Sequence, residues 1–109
     1  MKNIKILIVD DHPIYSYGLS QILNSIYYQP NILYSTSVKS AQAIIDENLD
    51  IDWVFLDLNL PDSNGIVLVN YCHSQNYLCP IIIISASEDP NLFQKCIEAG
   101  VNGLMSKNS

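Results

Sequence analysis

Three aspartates, a serine and a lysine stand where a parallel sheet would gather them. Asp10 and Asp11 follow the first of five strand-length runs, Asp57 lies near the end of the third, Ser85 ends the fourth and Lys107 follows the fifth. Carboxylates brought together repel one another, and three ionised ones are tolerable only around a cation. Hard oxygen ligands of this kind suit Mg²⁺, or Mn²⁺ in its place; Mg²⁺ keeps several waters and commonly bridges to a phosphate. In that setting Asp57 is the natural nucleophile, because a carboxylate can attack a phosphoryl group and form an acyl phosphate while metal and lysine offset the charge. Ser85 is placed to donate its hydroxyl to a phosphoryl oxygen. Lys107 is placed to pair with Asp57 before transfer and with the phosphoryl group afterwards.

Each residue alone has a plainer role. A strand-terminal aspartate often caps the next turn, Ser85 suits a turn, and Lys107 suits a solvated surface. The combination argues for a site, since Asp57 interrupts an otherwise apolar run, where an unpaired charge costs on the order of several kcal/mol.

The elements that must hold these residues can be read from apolar patterning. Runs at Ile4–Val9, Ile32–Thr36, Trp53–Leu58 and Ile81–Ser85, with a weaker one at Gly103–Ser106, are continuous rather than alternating, as in a parallel sheet buried on both faces. Helical spacing connects them: Tyr15, Leu19, Ile22, Leu23 and Ile26; then Val38, Ala41, Ile44 and Ile45; then, after a less regular stretch beyond Gly65, Leu92, Phe93, Cys96 and Ile97. Ser37 is a candidate cap for the second helix, Asp89 followed by Pro90 starts the fourth, and Gly100 ends it. Alternation of strand and helix predicts a doubly wound α/β domain, with functional residues at the carboxyl ends of the strands.

Composition narrows the function classes. At 109 residues and 49% hydrophobic content the chain is sized for one core. Eleven acids against five lysines and no arginine, a formal charge of −6, leave no basic face for direct nucleic-acid binding. Cys72, Cys79 and Cys96 have no metal-ligand spacing and no disulfide framework, which predicts reduced core thiols in a cytoplasmic protein. The N-terminal apolar run is too short for a signal peptide or membrane span.

With these residues in place, the chain resembles response-regulator receiver domains over essentially its whole length. The resemblance is carried by Val9-Asp10-Asp11-His12-Pro13, by Asp57 through Pro61 to Gly65, by Ser85-Ala86-Ser87, and by Ala99-Gly100 leading into Ser106-Lys107. It implies a flavodoxin-like sheet of order 2-1-3-4-5, Asp57 as phosphoacceptor, and Mg²⁺ placed by Asp10, Asp11, Asp57 and the backbone carbonyl of Asn59. It also implies Ser85 as switch hydroxyl, Lys107 as phosphate-binding lysine, and a phosphohistidine donor on a sensor histidine kinase or phosphotransfer protein. The Asp-Asp-His-Pro variant is similar to the subgroup joined to a helix-turn-helix DNA-binding output domain, with His12 beside Pro13 starting the first helix.

The family pattern is not complete. Leu104 stands where an aromatic often couples to the switch hydroxyl, and Asn108 replaces the proline, with its cis peptide, that commonly follows the lysine. The family continues through a fifth helix, so residues 1–109 are expected to form a receiver domain shortened before that helix. A sheet face left partly bare predicts a homodimer, helix exchange or poor solubility.

Three other readings compete. A haloacid-dehalogenase-type enzyme needs a second aspartate where Asn59 stands, and a flavodoxin-type module needs a hydroxyl-rich phosphate cradle where Asp10 and Asp11 would repel the ligand. A pseudo-receiver that binds partners without phosphorylation typically loses one of the acids or the lysine, all of which are kept. The tyrosines at 27, 28 and 34 suit packing rather than a binding platform. Trp53 opens the acceptor strand, away from Asp57.

Overall fold

The computed structural model describes residues 3–108. Five strands and four helices alternate: β1 (Lys5–Val9), α1 (Pro13–Ile26), β2 (Asn31–Ser35), α2 (Val38–Glu47), β3 (Trp53–Asp57), α3 (Ile66–Ser74), β4 (Ile81–Ser85), α4 (Pro90–Glu98) and β5 (Gly103–Ser106). The sheet is parallel throughout, in the order β2-β1-β3-β4-β5. The predicted α/β architecture and strand order are therefore both observed.

Burial explains the continuous apolar runs. Ile6 to Val9, Val54 to Leu56, Ile83 and Ile84 are buried on the three central strands. Side chains alternate across the sheet: Leu7, Val9, Val54, Leu56, Ile81 and Ile83 meet α2, α3 and α4. On the other face Ile6, Ile8, Phe55 and Ile84 meet Leu19 and Leu23 of α1. That second face thins toward β5, where Ile82 of β4 is half-buried and Met105 is 40% exposed.

The expected punctuation is present. Ser37 Oγ accepts from the Ser40 N–H, Asp89 Oδ1 accepts from the Asn91 N–H, and Gly100 takes a left-handed φ of +88° beyond α4. The α2 N-terminus has a second cap that the sequence did not reveal: Asp62 accepts from the Val38 and Lys39 N–H groups at 2.9 and 3.0 Å. These bonds hold the Asp62 carboxyl below its usual range and tie the loop after β3 to α2.

Two helical stripes differ from expectation. Ile22 and Ile26 of α1 are exposed, and its buried positions are Ser16, Leu19, Ser20 and Leu23. On α4 only Cys96 is buried and Ile97 is exposed. Both helices carry apolar residues over more than one face, and among the described residues each packs on the sheet through a narrower stripe. Helix α3 had no clear period because it is apolar almost all round; Leu68, Val69 and Cys72 are the buried set.

Candidate functional site

The parallel register decides which distant residues meet. Val9 pairs with Leu56, and Asp57 with Ile84, so the residues leaving β1 and β3 emerge side by side. Asp57 is the last residue of β3 and is 2% exposed; Asp10 follows β1 and is 3% exposed. Lys107 follows β5, with its backbone N–H bonded to the Ser85 carbonyl at 2.9 Å.

Chain geometry fixes each carboxylate. Asp57 Oδ1 accepts the Asn59 N–H at 3.0 Å, while Asp57 Oδ2 lies 3.0 Å from Lys107 Nζ. Asp10 Oδ1 accepts the His12 backbone N–H at 2.9 Å, closing an Asx-type turn, and Asp10 Oδ2 lies 2.9 Å from Lys107 Nζ. Lys107 thus bridges two buried acids. The approach of β3 to the next helix also needs Gly65, because a Cβ there would stand 2.7 Å from the Asp57 carbonyl oxygen.

His12 is the residue whose position the sequence did not reveal. It occupies the N-cap of α1, as its place before Pro13 suggested, yet its side chain makes no capping hydrogen bond. The ring instead joins the acids, with Nδ1 2.8 Å from Asp10 Oδ1, 3.3 Å from Asp11 Oδ1 and 3.4 Å from Asp57 Oδ2. Lys107 Nζ is also 3.2 Å from this nitrogen. An ammonium can only donate, whereas the Asp10 carboxylate at 2.8 Å can only accept, so the closer contact assigns Nδ1–H as donor to Asp10.

Electrostatics follow from these contacts. Burial pushes the Asp10 carboxyl up, but the Lys107 ammonium and the His12 backbone and ring N–H groups outweigh it, leaving Asp10 below its ordinary value. The hydrogen bond to Asp10 raises His12, against the nearby Lys107 charge. Burial lowers Lys107, and its ion pairs with Asp10 and Asp57 more than restore it.

The donor set fits a hard divalent cation. One potential ligand atom from each of Asp10, Asp11, His12 and Asp57 lies within 4.8 Å of the others. Among the described residues, two buried carboxylate oxygens, Asp10 Oδ2 and Asp11 Oδ1, accept no hydrogen bond; the basic groups facing them are Lys107 and His12. Buried charge without hydrogen bonds is costly unless a cation completes it.

Ser85 is fully buried at the end of β4. Its Oγ accepts the Ser87 N–H at 3.0 Å and makes no hydrogen bond to the acidic cluster among the described residues. Asn59 brings its N–H to Asp57, and Leu104 lies on β5, 36% exposed. Asn108 donates its side-chain amide to the Ala86 carbonyl at 2.8 Å, a contact that a proline there could not make. An open cleft of about 380 Å³ over Asp57 is lined by His12, Ile14, Tyr15, Asn59, Ala86 and Lys107. Two other clefts, about 240 and 300 Å³, lie beside Leu78 and carry no acidic or lysine side chain.

Comparison with known proteins places the chain. Residues 6–109 match the response regulator receiver domain family. The DNA-binding transcriptional activator EvgA of Escherichia coli (strain K12) is 32% identical over 102 residues, covering 93% of this chain and 48% of that protein. The nitrate/nitrite response regulator protein NarP of the same strain is 30% identical over 107 residues, covering 96% and 48%. A crystal structure of a DNA-binding response regulator of the LuxR family from Staphylococcus aureus superposes with a TM-score of 0.86 at 19% identity, covering 97% of this chain and 88% of that one. The chain spans about half the length of the curated relatives it matches. It belongs to the response regulator receiver domain family.

Proposed function

We propose that this domain accepts a phosphoryl group on Asp57 from a phosphohistidine of a sensor histidine kinase or phosphotransfer protein, in a Mg²⁺-dependent reaction that switches an output, namely transcription. One observation carries the reading: Asp57, buried at a strand end, keeps Oδ1 on a backbone N–H and Oδ2 on the Lys107 ammonium, beside two further carboxylates.

In the transfer, an Asp57 oxygen attacks phosphorus as the P–N bond to the donor histidine breaks. The electron pair stays on the imidazole nitrogen, which is protonated from solvent. Asp10, Asp11, Asp57 and the Asn59 carbonyl would hold the metal. A bound Mg²⁺ withdraws negative charge from the phosphoryl oxygens. Lys107 exchanges its ion pair with Asp57 for one with the phosphoryl group. Ser85 Oγ accepts a hydrogen bond and donates to no described residue, so its hydrogen is available for a phosphoryl oxygen. Moving that hydroxyl inward acts on the loop from Ala86 to Asp89 and on α4, the element biased by the switch.

The DNA-binding activity named for EvgA supports a transcriptional output, which this acidic domain would control through a further domain rather than by touching DNA. The half-bare α1 face at Ile82 and Met105 supports self-association. We read the domain as cytoplasmic.

The test is intact mass after incubation with Mg²⁺ and acetyl phosphate, beside an Asp57→Asn control. One added phosphoryl group, dependent on Mg²⁺ and absent from the control, is expected. A folded protein that gains no mass would be a pseudo-receiver.

A further inference from the structure

We infer that Tyr15 is a positioning residue for Lys107, its ring face keeping the ammonium beside Asp57 while the other groups around that ammonium change partners. The inference rests on the phosphoacceptor reading above. Lys107 Nζ lies 4.6 Å from the centroid of the Tyr15 ring, within the range of cation–π attraction.

Among the described residues, the other polar partners of the ammonium belong to the acidic pocket. They are Asp10 Oδ2 at 2.9 Å, Asp57 Oδ2 at 3.0 Å and His12 Nδ1 at 3.2 Å. A divalent cation taken up by the carboxylates draws on the same oxygens and repels the lysine. Phosphorylation then turns the Asp57 carboxylate from an ion-pair partner into an acyl phosphate. A lysine ends in a compact charge on a flexible stem, so its own geometry does not keep it in place through these changes.

The Tyr15 ring is outside that exchange. It is borne on the first turn of α1, half-buried against the core under that helix, and it lines the same cleft as Asp57 and Lys107. Its attraction for the ammonium comes from the ring quadrupole, which neither metal nor phosphoryl transfer removes. The Tyr15 hydroxyl makes no hydrogen bond among the described residues, which leaves the ring face as the functional part.

The experiment compares the wild-type chain with Tyr15→Phe and Tyr15→Leu in two readouts. The first is the ¹H–¹³C spectrum of the ε-methylenes of the five lysines, with the Lys107 signal assigned by its loss in Lys107→Arg. An upfield ring-current shift is expected in wild type and Tyr15→Phe and is absent from Tyr15→Leu. The second is the rate of phosphorylation by acetyl phosphate at saturating Mg²⁺. Tyr15→Leu, which keeps apolar bulk, is expected to lose about tenfold, the order of a partly desolvated cation–π contact, and Tyr15→Phe to recover most of it. An unshifted Lys107 signal in wild type overturns the inference and leaves the phosphoacceptor reading intact. So does a Tyr15→Leu rate equal to wild type, or a Tyr15→Phe rate as low as that of Tyr15→Leu. A shifted signal in a wild-type protein that never gains phosphate overturns both.

Discussion

Lys107 reaches back fifty residues along the chain to place its ammonium 3.0 Å from Asp57 Oδ2. The same ammonium stands 2.9 Å from Asp10 Oδ2, so one lysine neutralises two buried acids. Replacing it by alanine leaves both carboxylates without their cation. Lys107→Ala should lower the unfolding free energy in metal-free buffer by about 1–3 kcal/mol, measured by urea denaturation. Added Mg²⁺ should return part of that loss, because the cation takes over the charge. An unchanged midpoint would mean that the pocket does not depend on the lysine.

His12 is raised by its hydrogen bond to Asp10. Asp10→Asn should therefore bring the His12 titration, followed by NMR in metal-free protein, down toward its ordinary value. A raised folded pKa means that the contact stabilises the fold fully below the ordinary value of 6.5 and is lost as pH rises through the folded value. A His12 titration that does not move in Asp10→Asn would contradict the assignment of Nδ1–H to Asp10.

Gly65 lets the chain pass against the acceptor strand. A Cβ would meet the Asp57 carbonyl oxygen at 2.7 Å and Leu58 Cα at 3.1 Å, backbone atoms that cannot swing aside. Gly65→Ala should cost about 1–3 kcal/mol as an overpacked contact. It should also slow phosphorylation, since the displaced loop carries the Asn59 N–H that bonds Asp57. Wild-type stability and rate in this variant would refute the close approach.

Alkaline pH should weaken the fold through two thiols held away from water. Burial, complete at Cys72 and partial at Cys79, pushes Cys72 up to about 11 and Cys79 up to about 12. The unfolded chain ionises these thiols first, so the stabilisation is complete below about pH 9 and is lost as pH rises through the folded values. Urea midpoints should fall across that window, and Cys79→Ala should flatten the decline. Tyr71, whose hydroxyl donates to Asp46, is pushed up to about 12. Its absorbance titration should move down in Asp46→Asn.

The α/β alternation, the five strands and the members of the acidic cluster could all be read from residue order. Continuous apolar runs announce buried parallel strands, and Asp57 betrays itself by breaking one. The α1 stripe could not be read, because Ile22 and Ile26 share helical spacing with Leu19 and Leu23, and only packing on the sheet selects between adjacent faces.

The types of the site residues, and the strand ends that carry them, are properties of the chain in one dimension, where patterning and charge suffice. Which nitrogen meets which oxygen is not. His12 looks like a helix start from sequence, and only the assembled pocket turns its ring toward Asp10 rather than toward the helix N–H groups. Tyr15 looks like a core residue, and only the register of β5 against β4 brings Lys107 over its ring. Asp62 carries no signal of its own in the sequence, and only folding sets it against α2, 24 residues back along the chain. The physical reason is common to all three: local patterning reports which face of an element is buried. The contacts of a polar side chain depend on strands and helices far away in sequence, whose relative positions exist only after the sheet has formed.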